Sequence, residues 1–145
     1  MPTPFAYFDT SVVVKRYVLE PSSTIARTLL RRHRCLSSAI LPVEVMSAVT
    51  RRRAAGDLTA ADFAAIGSRL AEDQRRWEIV PVTGLLLALA KDLIQRYPLR
   101  TLDAIHLAAA LTFRDMSGLR VPFVTADMRQ REAAEPVGLS VLWAG

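Results

Sequence analysis

Short apolar runs, each too brief for a helix, recur along this chain and are each followed by a stretch with helical spacing. That alternation restricts the fold more than any other feature of the sequence. Phe5-Ala6-Tyr7-Phe8, Cys35–Ser38, Trp77–Val82, Val121–Val124 and Leu139–Trp143 read as strands. They are near-continuous apolar runs, the pattern of strands buried on both faces, as in a parallel sheet covered by helices.

The intervening helices carry their own punctuation. One is expected from Thr10 to about Tyr17. Pro21-Ser22-Ser23 opens a second, to about Arg34, with Ser22 or Ser23 as N-cap. Pro42 suits the first turn of a helix to Ala55 that Gly56 ends. Thr59 caps a helix to about Arg76, with Asp62 near its positive end and Phe63, Ile66 and Leu70 on one face. Thr83 precedes a helix that stops at about Tyr97, before Pro98. Asp103 opens a helix from Ala104 to about Met116, Gly118 marks a turn, and a short helix follows Asp127. The expected fold is one α/β domain over residues 1–145: three layers, α/β/α, around a central, mainly parallel sheet of about four or five strands.

Composition narrows the setting. The 145 residues are 51% hydrophobic and 23% charged, which suits one folded domain rather than a disordered chain. No apolar run approaches the roughly 18 residues that would span a bilayer. The N-terminus lacks the basic and apolar segments of a signal peptide. Cys35 is the single cysteine, so neither an internal disulfide nor a cysteine-built zinc site is available. These features predict a cytoplasmic protein that does not enter membranes. The net charge of +5, nearly all from arginine, favours a polyanionic partner such as nucleic acid.

In parallel α/β sheets, ligands bind beyond the carboxyl ends of the strands. Asp9 ends the first strand run and Asp127 lies just past the Val121–Val124 run, so the topology puts both on one rim. Asp103 stands at a helix N-terminus and Glu44 in the first turn of its helix. Each acid has a plain alternative as a helix cap or a favourable dipole partner. Four acids from four segments around one rim nevertheless form a candidate cation site. Crowded carboxylates repel one another, and a hard divalent ion relieves that conflict while favouring phosphodiester hydrolysis. An acidic pocket in a basic protein suits a nuclease. A receiver domain or a haloacid-dehalogenase phosphatase fits less well, because Asp9 is followed by Thr10-Ser11 and not by a second acid.

With these residues in view, the chain resembles the PIN-domain family, and within it the VapC toxins. Tyr7-Phe8-Asp9-Thr10-Ser11 with Val14-Lys15-Arg16-Tyr17 and Glu20-Pro21 resembles the family's first motif, and Ser38 through Glu44 its second. Leu102-Asp103-Ala104-Ile105-His106-Leu107-Ala108 is the most specific match. Phe123-Val124-Thr125-Ala126-Asp127 resembles the last acidic motif. The resemblance implies a Mg²⁺- or Mn²⁺-dependent endoribonuclease, an RNA substrate, a VapB-type antitoxin and a homodimer. It implies Asp9 and Asp103 as metal ligands, with Glu44 and Asp127 acting directly or through water. Thr10, Ser11 and Thr125 resemble hydroxyl residues supporting the site, local capping being their plain alternative. A catalytically silent PIN-like module that binds RNA or a partner is the rival reading.

Further residues are assigned structural roles. His106 is expected as a packing or supporting residue and His33 as a solvated helix end. Trp77, Trp143 and the Leu85-Leu86-Leu89-Leu93 stripe are expected in the core. Arg51-Arg52-Arg53 reads equally as a solvated face or a phosphate contact.

Overall fold

The computed structural model describes residues 2–145. In chain order the elements are β1 (Phe5–Phe8), α1 (Thr10–Tyr17), α2 (Ser23–Arg32), β2 (Arg34–Ser38), α3 (Leu41–Ala54), α4 (Ala60–Gln74), β3 (Glu78–Val80), α5 (Gly84–Arg96), α6 (Thr101–Ser117), β4 (Phe123–Thr125), α7 (Met128–Ala134) and β5 (Val141–Trp143). The strands form one sheet in the order β3-β2-β1-β4-β5, and every pairing is parallel. The expected α/β/α architecture is therefore present, with five strands among the described residues.

The strand order sets the location of the site. The chain winds outward from β1 through β2 to β3, then returns to the other side of β1 for β4 and β5. Winding reverses between β1 and β4, where the crossovers diverge and leave a crevice at the carboxyl edge. Phe8 pairs with Val124, and the Asp9 N–H donates to the Val124 carbonyl at 3.2 Å. The next residues along these two strands, Asp9 and Thr125, are thereby brought to the same edge.

The alternation of β1 divides the core. Tyr7 packs on one face with Leu86, Leu93, Leu107 and Phe123. Ala6 and Phe8 pack on the other with Val12, Val13, Leu41, Val45 and Ile66. α6 is buried along its length from Ala104 to Leu111, and its alanines let α5 and the sheet approach closely. Burial of each large apolar side chain contributes about 1.5–3 kcal/mol.

Several boundaries and burials depart from the sequence expectations. α6 begins two residues before Asp103, because the Asp103 side chain accepts the Arg100 N–H at 3.3 Å from within the first turn. Ser22 stands at the N-cap of α2 with φ 67° and makes no side-chain cap; Ser23 Oγ instead accepts the Glu20 N–H at 2.9 Å. α2 ends at Arg32, and Arg34 already starts β2. Trp77 precedes β3 and is only half-buried, and Trp143 in β5 is likewise half-buried under the Arg131 guanidinium. Leu85 is 86% exposed while Leu86 and Leu93 fill the core, because Leu85 opens α5 on its outer side. His33 caps the end of α2, its Nδ1 lying 3.0 Å from the Leu29 carbonyl oxygen.

Candidate active site

Asp9 leaves β1 and caps α1. Its Oδ1 accepts the Val12 N–H at 3.3 Å and the Ser11 hydroxyl at 2.6 Å. Its Oδ2 accepts the Thr125 hydroxyl from the end of β4 at 2.6 Å. The side chain is fully buried, and burial raises its pKa to about 6 against the opposing pull of His106, Ser11 and Thr125. The capping expectation for Asp9 holds: one oxygen finishes the helix, and the other ties it to β4.

Glu44 projects from the first turn of α3 and reaches over the sheet edge. Its Oε1 accepts the Thr10 hydroxyl at 2.6 Å and lies 2.6 Å from His106 Nε2. Partial burial pushes the Glu44 carboxyl up, but the hydrogen bond and charge of His106, with Thr10, outweigh it and hold the group below the ordinary glutamate value. Asp103 accepts the Gln130 side-chain N–H on Oδ1 at 3.2 Å. Burial, then the neighbouring Asp127 charge, raises the Asp103 pKa. Asp127 caps α7, accepting the Arg129 N–H at 2.8 Å, while its own N–H donates to Thr125 Oγ1 at 3.0 Å.

Glu44, Asp103 and Asp127 line one crevice of about 650 Å³ together with Thr10, Ser11, His106 and Gln130. Asp9 lies beneath this wall, behind Ser11 and Thr125. A second lobe of about 580 Å³ continues past Thr10, Ser11 and Glu44 to Lys15, Ser47 and Arg51. The three expected hydroxyls therefore each donate to one of the acids: Thr10 to Glu44, and Ser11 and Thr125 to Asp9.

The donors suit a hard divalent cation: carboxylate oxygens, no thiol, and two acids whose protonation is favoured by burial and, at Asp103, by like charge. Among the described residues, no three His, Cys, Asp or Glu side chains stand close enough to hold an ion by themselves.

Two supporting residues were not singled out from sequence. Gln130 is buried in α7, donates to Asp103 and leaves its own Oε1 without a partner; only its place one turn after Asp127 hinted at it. Tyr7 passed as a core aromatic, although its hydroxyl lies 2.7 Å from His106 Nδ1. The basic run divides. Arg51 borders the second lobe, Arg52 is paired with Glu20 and Asp57, and Arg53 covers the Phe63 ring.

A family model described as PIN domain matches residues 6–136. Ribonuclease VapC46 of Mycobacterium tuberculosis is 36% identical over 142 residues, covering 94% of this chain and 95% of that protein. Ribonuclease VapC47 of the same species is 33% identical over 138 residues, covering 91% of each. Among solved structures, VapBC2 from Rickettsia felis, bound to a DNA fragment from its promoter, matches with a TM-score of 0.66 at 14% identity, over 97% of this chain and 99% of that one. A toxin–antitoxin complex from Klebsiella pneumoniae matches with a TM-score of 0.65 at 19% identity, over 97% and 98% of the two chains. At such identities the structural likeness establishes the fold.

Proposed function

The chain belongs to the PIN-domain family, and on that premise we propose that it is a metal-dependent endoribonuclease, the toxin of a type II toxin–antitoxin pair. Residues 1–145 are read as a single PIN domain. The observation that carries the chemistry is the convergence of Glu44, Asp103 and Asp127 on one crevice at the β1/β4 switch point, with Asp9 directly beneath.

Asp9 and Asp103 would hold Mg²⁺ or Mn²⁺, with Glu44 and Asp127 completing the site directly or through water. The bound ion supplies Lewis acidity for hydrolysis of an RNA phosphodiester. Ser11 and Thr125 fix the rotamer of Asp9, and Thr10 does the same for Glu44. Arg51 in the second lobe and Arg100 at the mouth of the first place positive charge where an RNA backbone would enter. Relatives named as VapC ribonucleases, and structural neighbours described as toxin–antitoxin complexes, support a VapB-type antitoxin as partner, and a homodimer is proposed as the working form. No helix among the described residues is long and apolar enough to cross a membrane, and we place the protein in the cytoplasm.

One observation favours a second reading, a catalytically silent module that binds RNA or a partner: the Asp9 side chain is fully buried beneath the crevice. Cleavage of a structured RNA mixture with Mg²⁺ or Mn²⁺, with EDTA, and by Asp103→Asn separates the two. Metal-dependent cleavage lost in the variant supports the nuclease; RNA binding with no cleavage in any metal supports the module.

A further inference from the structure

We propose that Tyr7 and His106 form a buried positioning pair that aims the Glu44 carboxylate into the crevice. The assignment rests on the metal-dependent reading of the site and deepens it by naming what holds one of its acids in place.

Glu44 is the acid least constrained by its own element. It sits on α3, which packs on the sheet face opposite α6, and a glutamate has three rotatable side-chain bonds to immobilise. Asp9, Asp103 and Asp127 are each tied to a backbone N–H within three residues of themselves. Glu44 has no such tie, and its Oε1 is held at 2.6 Å by His106 from across the sheet edge and at 2.6 Å by Thr10 from α1 on its own face.

His106 can serve as a fixed donor because neither of its nitrogens is free. An ionised carboxylate only accepts, so the 2.6 Å contact to Glu44 requires the proton on Nε2. Nδ1 faces the Tyr7 hydroxyl at 2.7 Å, so that in a singly protonated ring with its proton on Nε2 the O–H donates to Nδ1. Tyr7 thereby selects the Nε2–H tautomer, because a hydrogen bond at one imidazole nitrogen decides which form the other takes. The tyrosine is itself immobile: its ring is 1% exposed and stacks on Phe123, with centroids 5.3 Å apart and planes at 7°. A phenylalanine would fill the same space, and a buried hydroxyl is costly unless it is bonded. With His106 also 1% exposed at the crevice wall, this arrangement makes it a positioning residue that acts through Glu44.

Side-chain ¹⁵N NMR of the intact protein tests the tautomer without any metal. The proton is expected on Nε2 in the wild type, with a mixed population in Tyr7→Phe; a wild-type ring protonated on Nδ1 alone overturns the proposal. Mn²⁺ titration followed by electron paramagnetic resonance tests the consequence. Loss of such a supporting bond costs roughly 10–100-fold in metal affinity, and His106→Leu should show it. His106→Gln, whose amide presents an N–H near the position of Nε2, should recover most of the affinity, and Tyr7→Phe should fall between. Thermal melts confirm folding, and Tyr7→Phe/His106→Leu, which leaves no orphaned hydroxyl, substitutes if the single variant misfolds. Unchanged affinity in His106→Leu, or equal loss in folded His106→Gln, overturns the pair. A wild type that takes no Mn²⁺ refutes the metal reading instead, and the tautomer spectrum still decides the pair.

Discussion

Replacing Asp9 by asparagine should stabilise the metal-free protein at neutral pH while abolishing cleavage. The Asp9 carboxyl is fully buried, and its pKa is raised from 3.8 to about 6 by that burial. An acid whose folded pKa lies above its unfolded value stabilises the fold only while protonated. Its contribution is complete below about pH 4, is lost as the pH rises through about 6, and stays lost above that. A shift of about two units, at roughly 1.4 kcal/mol each, amounts to about 3 kcal/mol of destabilisation at pH 7.5. Asparagine removes that penalty. Its Oδ1 keeps the bonds from Ser11 and Val12, while its amide N–H meets the Thr125 hydroxyl, which must now accept where it donated before. Rearranging that bond costs about 1 kcal/mol. The net gain of about 2 kcal/mol corresponds to roughly 5–8 °C in a chain of this size. Melting curves followed by circular dichroism in EDTA, from pH 4 to pH 8, measure it. The variant should melt higher at pH 7.5 and lose its advantage near pH 4, and added Mn²⁺ should stabilise only the wild type. A variant that melts lower at pH 7.5, or a gap equally large at pH 4, would refute the reasoning.

Asp127→Asn removes the neighbouring charge that helps to raise the Asp103 pKa. The Asp103 carboxyl-carbon titration should then move down but stay above the ordinary value, since burial is the larger cause. Asp73 accepts from both Arg16 and Tyr17, so Asp73→Ala orphans two donors. It should cost about 2 kcal/mol in urea unfolding with RNA cleavage unchanged. Gly118 ends α6 at φ 71° with open space around it. Gly118→Ala should therefore cost about 1 kcal/mol from backbone conformation alone, and a melting temperature unchanged by it would contradict that.

Much of the site could be read from sequence because its residues stand where local rules and global topology coincide. Asp9 and Asp127 announce themselves as acids at strand ends, and each is also the N-cap of the following helix. Ser11 bonds the acid two residues before it, so its role is local, whereas Thr125 reaches Asp9 and Thr10 reaches Glu44 only through the fold. His106 and Gln130 are different. His106 is expected from sequence only as a packing or supporting residue and Gln130 is not singled out, and nothing in their spacing shows that one meets an acid 62 residues away and the other an acid 27 residues away. The arginine run is a further case, since only packing shows that Arg51 borders the crevice while Arg52 and Arg53 are engaged elsewhere.

Patterning alone determined the layered α/β class and the sequence of elements, and it pointed to the acids of the candidate site. Apolar runs of strand length, helical periodicity and caps are properties of neighbouring residues, and burial enforces them wherever the chain goes. Tertiary structure decided the strand order that places Asp9 beside Thr125, the depth that lifts the Asp9 pKa, and the reach of Glu44 across the sheet edge to His106. Those outcomes depend on which surfaces meet across long sequence separations. Contacts of that kind are selected by the packing of the whole molecule, and no local preference encodes them.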